Sequence, residues 1–548
     1  MDQIKAKELT ANLIDRFEAA NGRFQLPGGV LSVGEVEALM LLAGLEPSVK
    51  SAQAPQAPAS APTIVTAPTK LELSSLSSAK DDSGLLCIDF GTAFSKAAFW
   101  ETDEDAPVPL DLGALGGAAG LVLPSAAYIV DGHVFFGQEA VLRHLNDGDF
   151  SRLLFDTPKE HLTHDHARFQ SHRPSAAIDP TGLFRTRDLL ALYLGYLTSL
   201  AGRRVEALGS SRLVGRRFAA PGWGNAQISK STPHFSAVAA QLGDLLTDAQ
   251  VLADTVQPDE WQDGLDVGKA RSLLDALATL PARARAGAKF VERPVLEAVA
   301  AATGVQDRLV NRRPQVLVVD VGAGTTDIGA FKYRINSEGA LVSAYEGGMR
   351  AIRTAGNRMD DALMALAWSK LELSSDSHMK QTHELRMRPV VRALKRDLFE
   401  QGAVEVDLDG FDLISIELPE FEGRPPVKSF RANFEAEVKA SLNGAGIGSR
   451  NFQQTNEPNI AVFTGGGGQL PFLRDILSRP IELDGGPAYF EVQDPLPAWL
   501  DDYGPDVAAV FPQLAVATGG CAPNLPDERN TVRDTSVAGT RSLAPNYR

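Results

Sequence analysis

The chain is poor in cysteine, in cationic charge and in long apolar runs. Only Cys87 and Cys521 occur among its 548 residues. Cys87 lies in an apolar run that reads as a core strand, so a disulfide framework is not expected and a reducing compartment is favoured. Fifty-three Lys and Arg stand against 69 Asp and Glu, a net charge of −16. Nonspecific nucleic-acid binding needs a cationic surface and is excluded by that balance. No apolar run reaches the roughly 18–20 residues that a membrane helix requires. The amphipathic, acidic start, "MDQIKAKELTANLIDRFEAANG", is unlike a secretory signal. These absences describe a cytoplasmic protein with no membrane span and no nucleic-acid partner. A GxxxxGK[ST] loop is also missing, so a Walker-type nucleotide site is excluded.

What is present is enough for a large core. Apolar residues make up 44% of the chain, and its length suggests two to four domains or lobes. Residues 1–48 read as a small helical module: Leu9, Leu13 and Phe17 recur every four residues with Ile14 beside them, and Ser32–Glu35 fits a capping box opening a second helix. Residues 49–83 are rich in Ala, Pro and Ser and read as a flexible linker. The body spans 84–521, with strands and helices alternating as in α/β layers. Within it, 225–288 reads as an acidic, helix-prone insertion, and 522–548 as a disordered polar tail.

Two stretches of the body share one pattern. "LLCIDFGTAFSKAAFW" runs from Leu85 to Trp100, and "VLVVDVGAGTTDIGAF" from Val316 to Phe331. Each is an apolar strand ending in Asp, then a Gly-containing turn with hydroxyl side chains (Thr92 and Ser95; Thr325 and Thr326), then a second strand. Glycine permits a tight turn and close backbone approach, and such a turn can cradle phosphate oxygens on its N–H groups. A carboxylate at each strand end can hold a hydrated Mg²⁺. Two facing hairpins would clamp a polyphosphate from both sides. A third stretch, "NIAVFTGGGGQLPFL" (Asn459–Leu473), ends a strand in four glycines before a helix, a backbone surface without Cβ atoms suited to a base and ribose.

The order of hairpin, hairpin and Gly-rich turn resembles the actin-like ATPase superfamily, which includes actin, bacterial cell-shape actins, sugar kinases and DnaK-type chaperones. "IDFGTAFSKAAF" and "VVDVGAGTTDIGAF" resemble its two phosphate motifs, and "VFTGGGGQLPFL" its adenosine motif. "IRTAGNRMDDAL" (Ile352–Leu363) resembles the segment that follows the second hairpin. "RALKRDLFEQGAVEVDL" resembles the chaperone helix that contacts the adenosine. The resemblance implies a two-lobed fold of duplicated ribonuclease-H-like domains around an ATP–Mg²⁺ cleft, lobe I at about 84–314 and lobe II at about 315–521. It implies that Asp89 and Asp320 hold Mg²⁺ through water. Gly91, Thr92 and Ala93 would line the phosphates from one lobe, and Gly322, Gly324 and Thr325 from the other. Asp327 would support the site, Lys395 and Arg396 would flank the adenosine, and Gly465, Gly466 and Gly467 would pass beneath it. Gln469 falls where chaperones often carry an Arg that stacks on adenine.

The resemblance breaks at three points. The Lys that chaperones place after the first hairpin aligns with Val141. The Glu they place before a Pro aligns with Arg293, so Glu292, one position off, is the candidate water-orienting base. Beyond Gly520 only 28 residues remain (548 − 520), so the resemblance implies a nucleotide domain without the chaperones' peptide-binding domain. The expected function is a chaperone-type, nucleotide-gated switch on a protein partner, with weak or slow ATP hydrolysis, docking through residues 1–48 or the insertion. An actin-like, filament-forming ATPase is the alternative, and an oligomer is possible under either. A sugar kinase would need a catalytic Asp in a separate pocket, for which no motif stands out. Four of nine histidines, His161, His164, His166 and His172, fall within 12 residues. They read as a solvated surface segment, with a transition-metal site as the other reading.

Overall fold

The computed structural model describes residues 18–20, 23–25 and most of 69–526. Within the last span the description omits 114–119, 148, 150, 165–168, 221–232, 282–289, 293, 306–314, 337–338, 353–354, 372–389, 407–412 and 454–457. The chain divides into two compact units, Met1–Val65 and Thr66–Arg548. In the first, the described residues form a short antiparallel pair, Glu18–Ala20 with Arg23–Gln25. The helical pattern around Leu9, Leu13 and Ser32–Glu35 lies outside the described residues, as does the tail beyond 526.

The second unit is mixed α/β and is built on two sheets of the same design. In the first, β1 (Asp81–Asp89) turns into antiparallel β2 (Phe94–Glu101), which pairs with β3 (Val108–Pro109) and, further along, with β4 (Leu123–Pro124). On the other side of β1 lie β5 (Val214–Ala220) and then β6 (Val295–Leu296), both parallel. In the second sheet, β7 (Gln315–Val321), β8 (Thr326–Asn336) and β9 (Gly339–Ile352) form the antiparallel side. The strands β10 (Asn459–Thr464) and β11 (Phe490–Gln493) lie parallel on the other side of β7. Leaving out the short β4, both sheets have the spatial order third, second, first, fourth, fifth. In each, the first strand is where pairing switches from antiparallel to parallel. The strand order also reverses there, between the first and fourth strands, and in open α/β sheets ligands bind at the carboxyl ends of strands where the order reverses.

The helices that matter for the site are α1 (Pro158–His164), α2 (Thr186–Ala207), α3 (Pro233–Thr255), α4 (Glu297–Gly304), α5 (Gly356–Lys370), α6 (Val391–Gln401) and α7 (Pro505–Gly520). Strand alternation divides each sheet's residues between two cores. Leu86 and Ile88 of β1 pack into the core formed with α2 and α3, whereas Cys87 faces Ala517 and Cys521 at the end of α7. Likewise Leu317, Val319 and Val321 of β7 face one core, while Val316 and Val318 face α4 and α7. Thus α4, which follows the first sheet's last strand, packs on the second sheet, where Tyr333 donates its hydroxyl to the Ala302 carbonyl. The helix α7 follows the second sheet's last strand and packs on the first. The two helices cross on glycine. A Cβ on Gly519 would lie 1.8 Å from the Ala300 carbonyl oxygen, and one on Gly304 would lie 2.3 Å from that of Ala515.

Two sequence expectations change. Residues 225–288 were expected to form an acidic insertion. Their described part is core: Leu245, Ala249, Leu252 and Trp261 are buried with α2, and Gly195 of α2 has no room for a Cβ beside Leu252. Asp244, Asp259, Asp263 and Asp266 are exposed and, with the side chains of Asp248 and Asp254 buried in ion pairs with Arg187 and Arg212, gave the segment a charge that masked the apolar stripe. The body also begins before residue 84. Leu76 is buried, Glu72 N–H donates to Thr255 Oγ1 at 3.0 Å, and Ser75 Oγ bonds Asp254, so residues 72–83 dock on α3 rather than forming a linker.

The helix crossing yields a stability test. Gly519→Ala should destabilise the protein by about 1–3 kcal/mol, the usual cost of overpacking. Gly466→Ala, whose nearest neighbour would be Gln513 at 3.7 Å, should stay within about 0.5 kcal/mol of the parent. Urea denaturation of both variants checks the contrast, and equal losses would contradict the crossing.

Candidate functional site

The two Gly-containing turns meet. A Cβ placed on Gly324 would lie 2.7 Å from Thr92 Oγ1, so the turn after β7 lies directly against the turn after β1. The first turn is held from below: Ser125 Oγ donates to the Gly91 carbonyl at 2.8 Å and Ser125 N–H to that of Ala93 at 2.9 Å. Ser95 is not a ligand donor, because its hydroxyl is buried 2.9 Å from both Ser125 Oγ and the Tyr193 hydroxyl. The second turn closes on itself, Gly322 N–H donating to the Thr325 carbonyl at 2.9 Å. It is also capped by α5, whose Gly356 and Asn357 N–H groups donate to the carbonyls of Gly322 and Ala323.

Four buried carboxylates and two lysines collect behind the turns. Asp89 ends β1, and Lys96, directly opposite it on β2, places Nζ 2.7 Å from its Oδ2. Asp320 stands near the end of β7, opposite Asp327 on β8, and accepts a 2.9 Å hydrogen bond from the hydroxyl of Thr464. Glu297 opens α4 and is ion-paired with Lys159 of α1, both being almost wholly buried. The Glu297, Asp89 and Asp327 charges outweigh burial and raise the Lys159 amine above its ordinary value, so it remains protonated. Asp320 has no lysine of its own. Burial first, then the charges of Glu297 and Asp89, push its carboxyl up to about 7. Among the described residues the cluster holds four carboxylates and two lysines, an excess of two negative charges if every group ionises.

That excess bears on Mg²⁺, which the resemblance implies. Buried carboxylates without enough cationic partners suit a divalent cation, and Asp89 and Asp320 are the two at the strand ends. Among the described residues no three His, Cys, Asp or Glu side chains gather as a metal-binding group. The fit is therefore to an ion held through its own waters by one or two carboxylates, as Mg²⁺ commonly is.

The glycine turn after β10 joins the same place. Gly465 has φ +76, and a Cβ there would lie 2.4 Å from the Val321 carbonyl and 2.8 Å from Asp320 Oδ1. Gly467 N–H donates to the Val321 carbonyl at 2.9 Å, while Gly466 is exposed. Lys395 reaches the other side of the second turn, with Nζ 3.1 Å from the Gly356 carbonyl and 2.6 Å from Asp360 Oδ1. Arg396 does not join them; it is two-thirds exposed beside Asp397.

Glu292 is not brought to Asp89 and Asp320. Its carboxylate is shared between Lys80 at 3.0 Å and Arg217 at 2.8 Å. Arg217 pairs in register with Cys87, two residues before the strand end. Val141 is likewise remote, packed with Tyr128 and Phe135, and Arg293 lies outside the described residues. The buried amine and carboxylate that do lie near Asp89 and Asp320 are Lys159 and Glu297. Sequence reasoning passed over both: Glu297 is a lone charge in the apolar setting "PVLEAVAAATG", whereas Lys159 stands between Asp156 and Glu160 in "LLFDTPKEHL" and carries no such signal. It also passed over Lys96, whose seven-residue spacing from Asp89 across a four-residue turn makes the two cross-strand partners. Of the histidines, His161 stacks on Phe155 and on His172, and His172 Nδ1 is 2.7 Å from Thr186 Oγ1. His166 lies outside the described residues, as does the His164 side chain.

No family model matches the chain, and no curated protein does.

The Asp320 environment fixes the sign of a pH effect. Its folded-state value lies above the unfolded one of about 3.9, so the folded protein holds the extra proton and this group's contribution to stability falls as pH rises from about 4 to about 7. Asp320→Asn should remove that slope. Urea midpoints from pH 5 to pH 8 without divalent cation measure it, and an unchanged slope in the variant would contradict the assignment.

Proposed function

We propose that the protein binds ATP with Mg²⁺ between the two turns and works as a nucleotide-gated switch on a protein partner, built on the actin-like, chaperone-type plan with two ribonuclease-H-like lobes. The observation that carries this reading is the duplication. Two sheets of identical strand order each present a Gly-containing turn and a terminal Asp at the switch point, and the two turns meet at Thr92 and Gly324. One sheet with one turn would serve many ligands; paired turns with carboxylates behind them suit a polyphosphate and its cation. The Gly465–Gly467 backbone, beside Val321, is the surface offered to the adenosine, with Lys395 across from it.

In this reading each side chain has a task. Backbone N–H groups of residues 91–93 and 322–325 hold phosphate oxygens, and Thr92 adds a hydroxyl. Lys96 leaves Asp89 for a phosphate oxygen, freeing that carboxylate for the cation's waters. Bound Mg²⁺ supplies charge neutralisation to the phosphates. Lys159 turns toward the terminal phosphate, and Glu297, so released, orients the attacking water and takes its proton. Breaking a buried ion pair is costly, so this last exchange keeps hydrolysis slow. Slow hydrolysis suits a switch, since gating requires only that nucleotide bind two states unequally.

Calorimetry tests the site. Asp89→Ala and Asp320→Ala should each weaken Mg²⁺-ATP binding by about 10- to 100-fold, and unchanged affinity in both would sink the reading. Glu297→Gln should leave ATP bound but lower single-turnover hydrolysis by about 100-fold or more. Wild-type turnover in that variant would remove Glu297 from its role.

A further inference from the structure

We propose that Glu160 determines how the site tells ATP from ADP: its carboxylate sits on the second turn where a third phosphate has to go, so ATP must displace it and ADP need not. The inference rests on the nucleotide reading above and adds a residue that no phosphate motif contains.

Three groups converge on one point beside Gly324. From the position a Cβ would take there, Thr92 Oγ1 is 2.7 Å away and Glu160 Oε1 is 3.3 Å away. The same Oε1 accepts a 2.6 Å hydrogen bond from Asn357 Nδ2. Asn357 is itself fastened to the second turn, its N–H donating to the Ala323 carbonyl at 2.8 Å. A carboxylate held by an amide above a glycine turn offers anionic oxygens to donors that would otherwise face a phosphate. Thr92 comes from the first turn and Asn357 from the start of α5 on the second, and Glu160 is near both.

The carboxylate is aimed there by its neighbours. Lys159, the preceding residue, is anchored in its ion pair with Glu297. Thr157 takes φ +55, unusual for a β-branched residue, and accepts the Glu160 N–H at 3.0 Å. Both features fix the first turn of α1. Glu160 is also poorly compensated. Burial, with Asp156 of its own segment and Asp361 of α5, raises its carboxyl, while the Asn357 bond and Arg392 of α6 act the other way. A carboxylate held by an amide rather than a cation can be displaced, and while in place it repels a further phosphate.

Calorimetric titration of the full chain with Mg²⁺-ADP and with a non-hydrolysable Mg²⁺-ATP analogue tests the proposal in wild type, Glu160→Gln and Glu160→Ala. Removing the charge should raise affinity for the triphosphate by about tenfold and leave the diphosphate within about twofold. The isosteric Gln variant keeps an amide contact to Asn357 and carries the test if the Ala variant does not fold. Equal shifts for both nucleotides, or an unchanged ratio in Glu160→Gln, would overturn the role of Glu160 while leaving the site intact. Failure of wild type to bind either nucleotide would overturn the nucleotide reading, and this inference with it.

Discussion

The structure turns on unbalanced negative charge buried where two β-strands end. Asp89 and Glu297 are ion-paired with lysines, whereas among the described residues Asp320 accepts a hydrogen bond from the Thr464 hydroxyl and feels Lys96 at longer range. Burying a carboxylate without a cation is unfavourable, and proteins answer with a proton, a counter-charge or a metal ion. Here burial and the Glu297 and Asp89 charges push the Asp320 carboxyl up to about 7, so that it binds a proton more readily than an exposed aspartate. Under the function proposed above, a cation carrying phosphates would be the neutraliser.

The rest of the second unit holds that cluster in place. Each sheet supplies a terminal Asp, a turn and a cross-strand partner, Lys96 or Asp327, while α1 and α4 supply Lys159 and Glu297. The helix α4 brings Glu297 from the edge of the first sheet, while α7 ties the second sheet's last strand to Cys87 beside Asp89. The close approach at Gly304 and Gly519 leaves no space for side chains. A change in the spacing of the two turns would therefore be felt at this crossing. Glu160 and Asn357 bridge the turns at the front, as the crossing joins the sheets at the back.

Much of this was legible in the sequence. The repeated strand–Asp–turn–strand pattern located both hairpins, because apolar strands and glycine turns are local properties. Asp89, Asp320, Thr92, Gly324, Gly465 and Gly467 lie near one another in the fold, and Lys395 reaches the second turn through Gly356. What failed depended on distance along the chain. Lys159 and Glu297 are 138 residues apart and belong to no shared motif, so only the fold pairs them. Glu292 was chosen for its place in a string, but β5 passes beside it and Arg217 takes its carboxylate. Composition misled at 225–288 and at 72–83, where charge and serine hid apolar residues that pack against α2 and α3.

The most direct test of the central claim is amide hydrogen exchange with and without Mg²⁺-ATP. The account predicts that ATP protects residues 90–93, 322–325 and 465–468 together, and that Mg²⁺ alone does not. Protection confined to one of the three turns, or absent from all, would contradict a site built jointly from both sheets.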